Sequence, residues 1–100
     1  MPNYNPDAPQ PGFTSNPEKV GEPVRVAVDF SLVGGASRVM PLAFVWAGRK
    51  YKIQRLNLRY KRPHGKRYVW CFAVSDEANS YVLTYDPDEL TWVLEEIYAS

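Results

Sequence analysis

The chain has 100 residues, with 12 Lys and Arg against 11 Asp and Glu, one histidine and one cysteine. That length fits one domain, and a single cysteine excludes an internal disulfide and argues against a cysteine-based zinc site. The longest apolar stretch, Leu42 to Ala47, is far too short to cross a bilayer as a helix, and the start lacks the basic and apolar regions of a signal peptide, so a cytoplasmic location is expected.

Six of the nine prolines occur by Pro23, interleaved with asparagines and glycines. Such a segment has little apolar surface to offset the entropy of ordering. Residues 1–22 are therefore expected to form a disordered tail, and residues 23–100 a single small β domain. In that domain Val24, Val26, Val28, Phe30 and Leu32 alternate with Arg25, Ala27, Asp29 and Ser31, the period of a strand with one buried face. Gly34-Gly35 ends it. Leu42, Phe44 and Trp46 begin a second strand after Pro41, and Ala47-Gly48 makes a tight turn into a third, Arg49 to Tyr60.

The third strand changes phase. Tyr51 and Ile53 share one parity; Leu56, Leu58 and Tyr60 share the other. A regular strand cannot bury both sets on one face, so a β-bulge near Gln54-Arg55 is expected, bending the strand around two sides of a small barrel. Pro63-His64-Gly65 turns the chain into a fourth strand with Tyr68, Trp70, Phe72 and Val74 on its apolar face. Asp76 to Asn79 reads as a hairpin loop, and Tyr81, Leu83 and Tyr85 as a fifth strand.

The last segment has two readings. Asp86 can cap a helix with Pro87 at its first position, and Leu90, Val93, Leu94, Ile97 and Tyr98 match helical spacing. Alternatively Asp86-Pro87-Asp88 is a turn, and Thr91 to Tyr98 is a sixth strand. Local signals favour the helix, over about 87–98, which would make the fold α+β.

The stretch from Tyr81 and Leu83 to Trp92, Leu94, Ile97 and Tyr98, with the upstream "FVWAGRKYKI", resembles a bacterial family of small uncharacterised domains. Its members occur alone or resemble the C-terminal part of catalytically defective Y-family DNA polymerase-like repair proteins. The resemblance covers about residues 40–99. It implies an all-β domain whose last segment is a strand, a link to DNA repair, and no catalytic residue. With it, the expectation is a small antiparallel barrel or strongly bent sheet of five to six strands.

Nothing in the sequence assembles a catalytic site or calls for a cofactor. His64 sits alone in a Pro-His-Gly turn, and Cys71 lies mid-strand without a partner that would stabilise a thiolate. The acids of "DPDEL" lack calcium-loop spacing. The strongest feature is charge: residues 49–67 hold nine cations and no acid, and residues 68–100 hold seven acids and no cation. Arg49, Lys50, Lys52, Arg55, Arg59, Lys61, Arg62, Lys66 and Arg67 can meet successive phosphates, and Tyr60 can stack on an unpaired base. The leading expectation is a non-catalytic module that contacts nucleic acid through this hairpin, beside repair or replication proteins. The alternative is a protein-interaction module using the acidic C-terminal segment, an edge strand or the Pro-rich tail. A third reading makes the cations only the wet face of strands, paired with acids on their neighbours.

Overall fold

The computed structural model describes residues 17–33 and 36–99, and among these every regular element is a strand. The strands are β1 (Glu18–Val33), β2 (Ala36–Trp46), β3 (Arg49–Lys52), β4 (Arg55–His64), β5 (Arg67–Ser75), β6 (Asn79–Asp86) and β7 (Thr91–Ala99). They form one open antiparallel sheet in the order β3-β2-β1-β7-β6-β5-β4. The sheet is thus all-β and antiparallel as expected, with seven strands rather than five or six. The extra strand arises because the long third segment breaks at Ile53-Gln54, leaving β3 at one edge and β4 at the other. Gln54 N–H donates to Ser75 O at 2.9 Å and Ile53 N–H to Leu42 O at 2.9 Å, so the break bridges both halves of the sheet.

β1 holds those halves together. Its first residues, Glu18 to Val24, pair with β7, and its later ones, Arg25 to Val33, pair with β2. Glu18 and Lys19 lie opposite Ile97 and Glu96, so residues 18–22 belong to the domain and not to a tail. Gly21, at φ 65°, lies where the register shifts between Lys19 and Glu22, a left-handed conformation that glycine adopts without a Cβ clash. The rest of the expected tail, 1–16, lies outside the described residues, as does Gly34-Gly35. At the β2–β3 turn Ala47 and Gly48 both have positive φ, 52° and 76°, which matches the right-handed twist of a two-residue hairpin.

The C-terminal segment is a strand, which corrects the helical reading. Asp86 Oδ1 does accept from the N–H groups of Asp88 and Glu89 at 3.0 and 3.2 Å, and Leu90 N–H donates to Asp86 O at 2.7 Å. That single turn stops at Leu90, whose φ is 57°. Beyond it β7 lies between β6 and β1 and satisfies its backbone on both sides. The helical spacing has a specific origin. Leu83 lies opposite Leu94 but Val82 opposite Glu96, so Glu95 is a bulge. One extra residue lets Leu94 and Ile97, three apart, be buried at 0% and 8% exposure.

The sheet rolls so that its core face turns inward. Phe44 on β2 stacks on Tyr51 of β3 at 4.9 Å and meets Tyr81 of β6 edge-on at 5.0 Å. β2 and β6 are separated in the sheet by β1 and β7, so this contact requires the sheet to curl back on itself. Phe72, Val74, Leu83, Leu94 and Ile97 complete the buried cluster. Leu83→Ala, at a position of 0% exposure, should cost about 2–5 kcal/mol in urea unfolding.

The β5–β6 loop is fixed by Asp76. Its carboxylate accepts from the Ala78 and Asn79 N–H groups at 2.8 and 2.7 Å and from the Tyr81 hydroxyl at 2.9 Å. Burial pushes the Asp76 pKa up, but these donors outweigh it and hold it below its ordinary value. Burial, with the nearby carboxylate, pushes the Tyr81 phenol up to about 12. A depressed folded pKa stabilises above the unfolded value of about 4 and ceases to as pH falls through the folded one. Wild-type stability should therefore drop below about pH 4, and Asp76→Ala should be less stable at neutral pH with a shallower acid dependence. Parallel acid profiles for the two proteins would contradict this.

Candidate nucleic-acid interface

Cross-strand pairing decides which way each cation of 49–67 points, because directly opposed residues share a face. Arg59 lies opposite the buried Phe72, and Lys61 opposite Trp70, so both project on the inner, core-bearing face. Tyr60 lies opposite Cys71 and Arg62 opposite Val69, so both project on the outer face. Arg55, opposite Ser75, is at the far end of β4. Arg49, Lys50 and Lys52 are on β3, at the other edge of the sheet. Lys66 is exposed in the β4–β5 turn, and Arg67 opens β5. The nine cations therefore do not share one exterior surface.

Two of them are neutralised by the acidic C-terminal third. Arg62 pairs with Glu95 at 3.0 Å; Arg67 pairs with Asp86 at 2.8 Å and with Asp88 at 3.1 Å. Among the described residues no carboxylate lies within 4.0 Å of the other seven. Lys50 and Lys52 nevertheless line an open depression of about 570 Å³ together with Asp76 and Glu77. Their field is partly cancelled at longer range. Arg55, Arg59, Lys61 and Lys66, all exposed, remain as the uncompensated set on the β4–β5 hairpin.

Arg59 and Lys61 converge on one aromatic ring. The Arg59 guanidinium carbon is 5.4 Å from the Trp70 ring centroid, and Lys61 Nζ is 5.1 Å from it. Such contacts are worth about 0.5–1 kcal/mol each at an exposed site. Beside them opens a cleft of about 230 Å³ lined by Val39, Arg59, Trp70, Phe72, Tyr85 and Pro87. Val39 comes from β2, and Trp70, Phe72 and Tyr85 from β5 and β6, so the cleft lies between the two halves of the rolled sheet.

The sequence pointed to Tyr60 for stacking, and its neighbours show another task. It lies directly opposite Cys71, and burial together with Cys71 raises its pKa. The Arg62–Glu95 pair runs from β4 to β7 with β5 and β6 between. On that outer face Val69, Cys71 and Thr84 are 5%, 0% and 6% exposed, so the outer face is covered where Tyr60 and Arg62 lie. Tyr51 is packed against Phe44, while Tyr68 is 58% exposed. Trp70 and Tyr85 were read only as packing residues. No sequence signal singles them out, because what exposes them to the basic strand is the register shift between Leu56 and Leu58, which leaves no mark in composition. It leaves Leu58 57% exposed and turns Arg59 and Lys61 toward the aromatic face.

His64 is exposed beside the β4–β5 turn, and burial pushes the Cys71 thiol pKa up. A group of three or more His, Cys, Asp or Glu placed to hold a metal ion does not occur among the described residues. If Tyr60 and Arg62 shield Cys71, the native thiol should react slowly with a disulfide reagent such as DTNB. Tyr60→Ala and Arg62→Ala should each accelerate it by about tenfold or more; an unchanged rate would place the cover elsewhere.

No protein-family model matches the chain, and no match is found among the curated proteins or the solved structures.

Proposed function

We propose that this domain is a non-catalytic module that contacts nucleic acid through the β4–β5 hairpin. The observation that carries this reading is the uneven pairing of charge. Seven acids follow the basic stretch, yet they meet only Arg62 and Arg67 of its nine cations. Arg55, Arg59, Lys61 and Lys66 stay exposed and uncompensated along one edge strand and its turn. Arg59 and Lys61 are alternate residues on one face, and an extended strand spaces such side chains by about 6–7 Å, close to the spacing of phosphates along an extended single strand. Contact through phosphates carries no base code, so weak sequence selectivity follows. A setting in DNA repair or replication belongs to this proposal on one ground alone, the sequence resemblance of residues 40–99 to the small bacterial domain family named above, whose members occur alone or resemble the C-terminal part of Y-family polymerase-like repair proteins.

The alternative, a protein-interaction module, draws support from the exposed edge of β4, where Leu58 is 57% and Tyr60 40% exposed. An edge strand of this kind can accept a partner strand. Salt dependence separates the two. Four phosphate contacts predict a fall of log K with log salt at a slope of about −3 for a single strand. Fluorescence anisotropy with labelled single- and double-stranded oligonucleotides measures it. Arg59→Glu with Lys61→Glu should weaken binding at least tenfold and flatten the slope. Absence of binding at about 50 mM salt, the low end of the range over which such contacts weaken, would reject the nucleic-acid reading.

A further inference from the structure

We infer that the cleft beside Trp70 receives one unpaired base of a nucleic-acid strand, with the adjoining phosphates held by Arg59 and Lys61; this rests on the nucleic-acid reading above and gives it a specific site. The inner face of the sheet is packed in rows across the strands. One row runs Arg59, Phe72, Leu83, Leu94, and its last two members are fully buried. The next runs Lys61, Trp70, Tyr85, Trp92, Val24, and every aromatic in it is only half-buried. The rolled sheet therefore fills its interior at one row and leaves the next open. Across the opening stands the small Val39 side chain of β2. Tyr85 and Trp92 lie 4.9 Å apart, centroid to centroid, so the aromatic surface continues across two strands beyond Trp70.

Size and charge narrow the occupant. At about 230 Å³ the cleft falls below the roughly 300–1,000 Å³ typical of drug-sized ligands. It suits a single planar ring. Stacking one base on such a surface is worth about 1–3 kcal/mol, more than either cation–π contact at an exposed site, about 0.5–1 kcal/mol. A base can thus displace a cation from Trp70, and the displaced cation remains on the rim facing the negative charge that the ligand brings. A purely acidic peptide would satisfy Arg59 and Lys61 but leave the aromatic row uncovered. An uncharged aromatic would do the reverse. A nucleotide within a strand answers both.

The test compares a labelled oligothymidylate of about eight nucleotides, a typical site size for a small β module, with an abasic strand of the same length. Unlabelled polyglutamate serves as competitor. The base-bearing strand should bind at least about fivefold more tightly than the abasic one, the low end of one stacked base. Trp70→Ala should remove that difference while leaving the abasic affinity within twofold. Should Trp70→Ala fail to fold, Val39→Trp, which fills the opening and keeps its floor, should remove it equally. Equal affinity of wild-type protein for the two strands would overturn the cleft inference and leave phosphate contact standing. Competition by polyglutamate as effective as that by the unlabelled oligothymidylate would overturn it in favour of an acidic peptide. Failure of both strands to bind at about 50 mM salt would remove the cleft inference together with the reading beneath it.

Discussion

Phe44 lies against Tyr51 on one side and the edge of Tyr81 on the other, and the shape of the domain follows from that contact. Tyr51 and Tyr81 are themselves 5.9 Å apart, centroid to centroid, although β3 and β6 are separated by three strands in the sheet. A flat sheet would leave these rings far apart and wet. Burying them against each other, with Phe72, Val74, Leu83 and Leu94, gives a small chain the apolar interior it otherwise lacks. The long β1 makes the roll feasible because it changes partner from β7 to β2 near its middle. One continuous backbone therefore carries pairing into both halves.

The charge distribution is a consequence of register within that roll. Exposed ion pairs contribute at most about 1 kcal/mol, far less than a buried aromatic ring, so pairing does not dictate where the cations go. The register shift between Leu56 and Leu58 does. It turns Arg59 and Lys61 to the inner face and Arg62 to the outer. Arg62 then meets Glu95, the bulged residue of β7, while Arg59 and Lys61 find Trp70. One irregularity in an edge strand divides the basic stretch between an outer-face cover and the rim of an aromatic cleft.

Much of the fold was legible because strands write their burial into alternate residues. The strands around Val24–Leu32, Tyr68–Val74 and Tyr81–Tyr85 fall inside observed elements. So do the turns at Ala47-Gly48 and Asp76–Asn79, whose residues favour those conformations locally. The phase change after Ile53 was also readable as a bend. Two of the errors share one cause. Leu94 and Ile97 imitate a helix because Glu95 bulges, and Leu58 and Tyr60 imitate core residues because the phase shifts again at Asn57. A bulge with no glycine leaves no mark in composition, and residues 18–22 look like linker until Ile97 and Leu94 are placed opposite them.

The sequence by itself determined that most of the chain alternates as strands with a phase change after Ile53, though its local signals favoured a helix at the C-terminus, and that positive and negative charge are segregated along it. Those properties depend on side-chain alternation, turn chemistry and count, all of which are local. Only the tertiary structure decided which cations acquire carboxylates, which meet Trp70, and that Tyr60 stands opposite the buried Cys71 while Tyr85 lines a cleft. Those outcomes depend on ladder register and on the curvature that brings β2 across from β5 and β6. Register is fixed by packing between segments remote in sequence, where a shift of one residue reverses the face of every side chain after it.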